Sequence, residues 1–346
     1  MKKEELVDIE PIYIDIRSKL IEARNNIYTT INITMVKTYW YIGKTINELQ
    51  NGTKRAEYGK SMMKLLSEKL TKEFGVGFSV RNIEQMRKFY IYFPNPQTLS
   101  AKLSWSHYLE LIRISRDDER NFYLNEIANA NWSVRELRTQ KDKMLYDRLL
   151  VSPNKKKLKL LPKKGLIINK PDDIVKSPYV FEFLGLKENK NYLETDLEKA
   201  LLSHLTEFLL ELGRGFAFIG NQQRIKIGAE YYYPDLIFYN RLAKCFVIID
   251  LKIGKLTHQD IGQMQMYVNY FKKTQMIDGE NEPIGILLCA DKDNTVVEMT
   301  LGDEIKNIYA SKYLTYLPSK EELIKIIQDE KELIETMQTA SSEDKF

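Results

Sequence analysis

The chain has 346 residues, of which 43% are hydrophobic and 29% are charged, and its formal net charge is +4. This length predicts two ordinary domains, each able to bury a sizeable core. The 2 cysteines exclude a disulfide framework, and no apolar run approaches the ~20 residues of a membrane span. We therefore expect a cytoplasmic protein with reduced thiols and no membrane partner.

The charge is distributed unevenly along the chain. Lys and Arg outnumber Asp and Glu by 25 to 19 in residues 1–150 and by 8 to 2 in residues 151–176. In residues 177–346 the acids outnumber the bases by 27 to 19. Such asymmetry indicates a polyanion partner for the first half and the segment after it.

Residues 1–150 are predicted to form an all-α domain. Apolar residues recur at helical spacing from Val7 to Leu49, and further helices are predicted at 60–74, 79–89, 105–114, 118–130 and 133–150. The helix capped by Ser79 carries three basic residues, Arg81, Arg87 and Lys88. Two interpretations of this basic helix stay open: the phosphate-contacting helix of a helix-turn-helix-like unit, or a solvated face of a helical bundle.

Residues 151–176 are predicted to be a linker, because they are rich in lysine and proline. Lys155, Lys156 and Lys157 are candidate phosphate contacts within it.

Residues 177–346 are predicted to form an α/β domain with a mixed sheet covered on both faces. The predicted helices are 193–212, 259–271, 298–309 and 319–337, and the predicted strands are 216–219, 222–227, 231–239, 244–251, 284–289 and 313–316.

The strongest chemical signal lies in the two strands around residues 240–244. Alternation along the second strand places Ile248, Asp250 and Lys252 on one face. If residues 240–244 form a hairpin turn, Asp235 faces the same cleft. Two carboxylates suit a hard cation such as Mg²⁺. The alternative interpretation is a salt bridge between Asp250 and Lys252 at the end of the strand.

A further acid is expected on the helix at 193–212. Glu198 lies at helical offsets from Leu201, Leu202 and Leu205, and is therefore predicted to point into the domain, with Glu194 one turn earlier. Glu207 lies on the line of Glu211 and is predicted to point away. An edge-of-core glutamate that reaches water is the alternative for Glu198.

Pro234-Asp235 followed by Asp250-Leu251-Lys252 resembles the signature of PD-(D/E)xK nucleases. The flanking segments resemble the YhcG-like branch of that superfamily over nearly the whole chain, at 56–60, 77–82, 103–108, 209–219, 246–255, 262–264 and 285–292. One residue departs from the pattern, because the branch more usually carries Glu at the position of Asp250.

The resemblance implies an all-α N-terminal domain (1–150), a basic linker (151–176) and a restriction-endonuclease-like α/β domain (177–346). It implies a metal-dependent endonuclease that acts on DNA, in defence against foreign DNA or in the handling of mobile elements. The alternative is a catalytically impaired DNA-binding or scaffolding module of the same fold. Paired cuts on two strands would suit a homodimer, and the N-terminal domain could also bind protein partners.

The resemblance also implies roles for individual residues. Asp235, Asp250, the carbonyl of Leu251 and Glu198 would hold Mg²⁺, or Mn²⁺ in its place. Lys252 would orient the attacking water, and Gln263 would lie beside it, although the sequence alone favours a hydrogen bond from Gln263 to a loop. Lys255 and Tyr233 are less specific candidates.

Overall fold

A computed structural model describes residues 10–51, 56–150, 160–176, 178–186, 192–291 and 307–317, together with residues 319, 321, 322, 324–326, 328 and 329. The chain divides into two compact units, Met1–Arg138 and Thr139–Phe346. Within the described ranges, no helix is both long enough and apolar enough to cross a membrane.

The first unit is helical, as predicted. Its helices are α1 (Glu10–Asn51), α2 (Ala56–Phe74), α3 (Val80–Tyr92), α4 (Trp105–Leu111), α5 (Asp117–Ala130) and α6 (Val134–Asp142), the last of which continues into the second unit. Short 3-10 turns occupy Val76–Phe78 and Pro96–Thr98.

Helix α3 is the centre of this unit. Ile83, Met86 and Phe89 recur at intervals of three and are buried. Gly43 of α1 allows a close crossing, because a Cβ at this position would lie 2.0 Å from the Met86 carbonyl oxygen. Ser79 caps α3 as predicted, since its Oγ accepts a hydrogen bond from the Asn82 amide at 3.3 Å.

The second unit combines helices with a mixed sheet, as predicted. After α6 its helices are α7 (Leu145–Leu150), α8 (Leu161–Lys164), α9 (Glu194–Ser203), α10 (Leu205–Leu212) and α11 (His258–Thr274). The strands are β1 (Tyr179–Val180), β2 (Phe216–Asn221), β3 (Ile225–Ile227), β4 (Glu230–Tyr232), β5 (Leu236–Asn240), β6 (Cys245–Lys255), β7 (Ile284–Asp291) and β8 (Ile308–Leu314). Two 3-10 turns lie at Pro171–Ile174 and Glu182–Leu184.

Six strands form the sheet in the order β1-β8-β7-β6-β5-β2. Strands β1, β8, β7 and β6 run parallel to one another. Strand β5 pairs antiparallel with β6, and β2 pairs antiparallel with β5. Strands β3 and β4 form a separate antiparallel ribbon.

Both faces of the sheet are covered by helices, in agreement with the alternation along β6. Val247 and Leu251 pack into one core with Leu197 of α9, and Ile248 packs into the other with Met264 of α11. Gly285 lets α11 approach the sheet closely, because a Cβ there would lie 2.4 Å from the Met264 side chain.

Three predicted elements were wrong in their extent. The strand predicted at 231–239 is two strands, β4 and β5, because Pro234 lacks the N–H that continues a ladder. The helix predicted at 193–212 breaks at His204, whose φ of −115° is not helical. The last helix of the first half breaks before Met144, which has a φ of 49°.

The structure also bears on the elements predicted near the C-terminal end of the chain. Ile308 and Tyr309, predicted to end a helix, begin β8, which pairs in parallel with β7. The helix predicted at 298–309 otherwise falls outside the described residues. Of the helix predicted at 319–337, the described positions from 321 to 329 are helical, and Ser319 and Glu322 form its capping box.

Glu211 on α10 is fully buried, although it was predicted to lie on the outward line of Glu207. Its carboxylate lies 2.6 Å from Arg148 Nη1 and 3.4 Å from Lys143 Nζ, and it accepts a hydrogen bond from the Val180 amide at 3.1 Å. Burial alone would raise the pKa of Glu211, but the charges of Arg148, Lys176 and Lys143 outweigh it and lower the pKa to about 2. Lys143 and Arg148, near the start of the second unit, are therefore held to α10 by a buried charge cluster.

Replacing Glu211 with Gln should lower the free energy of unfolding by about 3–5 kcal/mol, because it removes the carboxylate that lies 2.6 Å from the buried Arg148. Urea denaturation of the full chain measures this change. Glu207→Gln is the matched control, since Glu207 is exposed on the same helix. Equal effects of the two substitutions would show that the cluster does not stabilise the fold.

Candidate active site

The hairpin of β5 and β6 brings two acids together. Leu236 pairs with Ile249 and Asn240 pairs with Cys245, which confirms the predicted turn. This register places Asp235, just before β5, beside Asp250 and Leu251 of β6. The Asp235 carboxylate accepts a hydrogen bond from the Leu251 amide at 2.8 Å. We call Asp235 and Asp250 the carboxylate pair.

The carboxylate pair is largely shielded from water. Asp250 is only 3% exposed, and its Oδ2 atom has no well-aligned hydrogen-bond donor among the described residues. Burial and the neighbouring charge of Asp250 together raise the pKa of Asp235 to about 7, although the Leu251 amide and Lys252 act against them. The metal-free pair therefore retains a proton near neutral pH, as expected of two carboxylates that share one site.

Lys252 supplies the positive charge nearest to this pair. Its Nζ atom lies 2.9 Å from Asp250 Oδ2 and 3.6 Å from Glu194 Oε2. Burial alone would lower the pKa of Lys252, but the surrounding acids outweigh it and raise the pKa. The side chain is therefore an ammonium at neutral pH, and the salt bridge foreseen as the alternative for Asp250 and Lys252 is present.

Glu198 is 8% exposed, accepts hydrogen bonds from two amide side chains, and is linked to the carboxylate pair by one of them, Gln222. Asn221 Nδ2 donates to Glu198 Oε1 at 3.2 Å, and Gln222 Nε2 donates to Glu198 Oε2 at 3.0 Å. Gln222 Nε2 also donates to Asp235 Oδ1 at 2.8 Å. Neither amide was singled out from the sequence, although the polar run Asn221-Gln222-Gln223 between two apolar strands was a signal.

Helix α11 covers the Asp250 face of β6. Gln263 donates to the hydroxyl of Tyr267 one turn later, and not to a loop among the described residues. The pKa of Tyr267 is raised by burial and by the charges of Asp250 and Asp235, so the tyrosine also lies near the acids. Its place in the site was not predicted. Tyr233 and Lys255, the less specific candidates, are both exposed.

The donor set suits a hard divalent cation with few protein ligands. Within the described part of the chain, no three His, Cys, Asp or Glu side chains are grouped closely enough to hold a metal. The carboxylate pair, however, offers buried oxygens with unfavourable mutual repulsion, which a cation would relieve. Mg²⁺ commonly binds through one or two carboxylates and completes its shell with water and phosphate oxygens.

The candidate DNA contacts lie elsewhere. Arg81 and Lys88 are exposed on α3 in the first unit, and Arg87 is half-buried on the same helix. Lys155, Lys156 and Lys157 lie outside the described residues.

Comparisons with known proteins identify the class of the second unit and then the family. The model of the YhcG PDDEXK nuclease domain matches residues 172–328, and that of the DUF1016 N-terminal domain matches residues 15–148. The Escherichia coli K12 protein named "Putative nuclease YhcG" is 36% identical, over 87% of this chain and 88% of its own length. The chain therefore belongs to the YhcG family of PD-(D/E)xK nucleases.

Two solved structures also match part of the chain. One is a repair endonuclease from Pyrococcus abyssi, with a TM-score of 0.26 and 17% identity. The other is an EndoMS complex with double-stranded DNA, with a TM-score of 0.27 and 16% identity. The matches cover 36% and 39% of this chain, and the chain spans about half of each structure, 49% and 50%. Similarity at this level adds no argument about the site.

The raised pKa of Asp235 predicts an unusual pH dependence of stability. The folded, metal-free protein holds the proton up to about pH 7, whereas an ordinary Asp releases it near 3.8. Asp235 therefore makes the protein less stable as pH rises between these values. Asp235→Asn removes this titration. In the presence of a chelator, the free energy of unfolding of the variant should therefore rise by about 2 kcal/mol relative to that of the wild type between pH 5 and pH 8.

Chemical denaturation at the two pH values measures this difference. Asp278→Asn, a change of the same kind at an exposed position, is the control. If Asp235→Asn follows the wild type at both pH values, the carboxylates do not destabilise each other.

Proposed function

We propose that this protein is a divalent-metal-dependent endonuclease that hydrolyses phosphodiester bonds in DNA. One observation carries the proposal: a buried carboxylate, Asp250, a half-buried one, Asp235, and an ammonium converge where β6 leaves the hairpin, in a chain of a nuclease family. Asp235, Asp250 and the Leu251 carbonyl would hold Mg²⁺ or Mn²⁺, and Glu198 would complete the site directly or through water.

The site residues would divide the work of hydrolysis. The chemistry that a bound Mg²⁺ supplies is polarisation of the phosphate and a lower pKa of the attacking water. Lys252, which is protonated, would orient that water and offset negative charge on the transition state. It would not act as a general base, because its ammonium is stabilised by Asp250 and Glu194. Gln263, paired with Tyr267, would line the side of the cleft that α11 covers.

The departure at Asp250 keeps the impaired alternative open, but the contacts of Asp250 support an active enzyme. The shorter side chain still forms an ion pair with Lys252 at 2.9 Å and still lies against Asp235. The ion pair with Lys252 and the contact with Asp235 are therefore made without the extra methylene of Glu. This supports the endonuclease over a DNA-binding or scaffolding module without activity.

The charge distribution supports a division of labour between the two halves. Residues 177–346 carry an excess of acids, so we place the main grip on DNA in the basic helix α3 and in Lys155, Lys156 and Lys157. Exposed apolar residues of α1, including Ile16, Leu20 and Ile27, are suited to a protein partner or a second copy. A role in defence against foreign DNA or mobile elements is proposed from the family alone.

Two substitutions should separate metal binding from chemistry. Asp250→Asn keeps the volume but removes a ligand charge, so it should reduce both Mn²⁺ binding and Mg²⁺-dependent DNA cleavage, the latter more than about a hundredfold. Lys252→Ala should reduce cleavage by about a hundred- to a thousandfold while Mn²⁺ binding persists. Calorimetry and plasmid nicking measure the two properties.

Lys273→Ala, at an exposed position in the last turn of α11, is the control for Lys252→Ala and should cut at the wild-type rate. Wild-type cleavage by Asp250→Asn would refute the site. Lost Mn²⁺ affinity with an unchanged rate in Lys252→Ala would mean that its proposed role is wrong.

Reversing the charge of Arg81, Arg87 and Lys88 to Glu should weaken DNA binding by the full chain. Each phosphate contact contributes about 0.9 to the slope of log affinity against log salt, so the slope should flatten by about two to three units. Titration of fluorescent duplex DNA at several salt concentrations, with Ca²⁺ present to hold the site, gives both values.

The matched control reverses the charge of three lysines of the second unit, Lys244, Lys272 and Lys273. Lys244 immediately precedes β6, and the other two lie in the last turn of α11, so all three are at the ends of these elements that lie away from Asp250. The net charge changes equally, so an equal loss of affinity would show that α3 is not a specific contact. Mn²⁺ affinity should be unchanged in both triple variants.

A further inference from the structure

Gln222 is placed by an irregular stretch of backbone. The register of β2 against β5 shifts between Phe218 and Gly220, and Gln222 follows the strand with a φ of 46°. This left-handed conformation is disfavoured for a residue with a side chain, and such conformations concentrate at functional sites. The backbone N–H of Gln222 donates to the backbone carbonyl of Asp235 at 3.1 Å, which holds the turn in place.

The side chain of Gln222 joins two acids from different elements. One nitrogen, Nε2, lies 3.0 Å from Glu198 Oε2 on α9 and 2.8 Å from Asp235 Oδ1 before β5. The NH₂ nitrogen is the donor in both contacts, and the oxygens of Glu198 and Asp235 accept. Both N–H groups of Gln222 are therefore directed at carboxylates that belong to the candidate metal site.

We infer that the Gln222 amide occupies the place of a cation between Glu198 and Asp235, positions these acids in the metal-free protein, and is displaced when metal binds. This inference rests on the proposed metal-dependent function. An amide NH₂ bears partial positive charge on two donors, so it can bridge two carboxylates without neutralising them. A divalent cation can do both, and would replace the amide once it enters.

Removing the amide should therefore have two opposite effects. Gln222→Ala leaves Glu198 and Asp235 without their bridge, so the chelator-treated protein should melt at a lower temperature. The same variant no longer has to break two hydrogen bonds before metal enters. Its affinity for Mn²⁺, measured by calorimetry, should rise about three- to tenfold.

Gln222→Lys tests the same position by placing a positive charge there. An ammonium between the two acids would offset one of their two negative charges permanently, so the metal-free variant should melt at a higher temperature than the wild type. Mn²⁺ affinity should fall by at least about tenfold, because the cation position is filled. This variant also decides the matter if Gln222→Ala fails to fold.

The neighbouring Gln223 provides matched controls, since Gln223→Ala and Gln223→Lys make the same changes one residue away. Both should keep the wild-type Mn²⁺ affinity. Unchanged or weaker Mn²⁺ binding in Gln222→Ala, or wild-type binding in Gln222→Lys, would overturn the inference. Failure of the proposed function is distinguishable, because then the wild type would not bind Mn²⁺ at a site that Asp250→Asn removes.

Discussion

The repulsion between two carboxylates on neighbouring interior strands of the sheet is the constraint on which the rest of the site depends. The hairpin register places Asp235 against Asp250, and burial makes a second negative charge there unfavourable. Three neighbours compensate for it in part: the Leu251 backbone amide, the Lys252 ammonium and the Gln222 side-chain amide. A site that needs three compensating contacts when empty is one that a divalent cation would bind readily.

The architecture of the second unit holds these groups in register. Helices pack on both faces of β6, so its alternation cannot slip without exposing one core and burying charges in the other. The buried Glu211 cluster secures residues 143 and 148 to α10. Since α10 continues the chain from α9, which carries Glu194 and Glu198, this cluster stabilises the helical layer from which two of the acids reach the site.

The parts of this arrangement that follow local rules were predictable. Alternation along β6 and the polar turn at 240–244 were enough to place Asp235, Asp250 and Lys252 together, and helical offsets were enough to turn Glu198 inward. The burial of Glu211 was not predictable from its helix, because the residues that cover it lie some 60 positions earlier. Gln222 depends on a register shift and a positive φ that no spacing rule specifies, and β8 depends on a parallel partner distant in sequence.

The most direct measurement is anomalous X-ray diffraction from a crystal of the full chain soaked in Mn²⁺. The account predicts an anomalous peak within coordination distance of the Asp235 and Asp250 carboxylates, with the Gln222 side chain turned away from Glu198 and Asp235. A protein that cleaves DNA with Mn²⁺ but shows its Mn²⁺ peak elsewhere, with the Gln222 bridge intact, would contradict it.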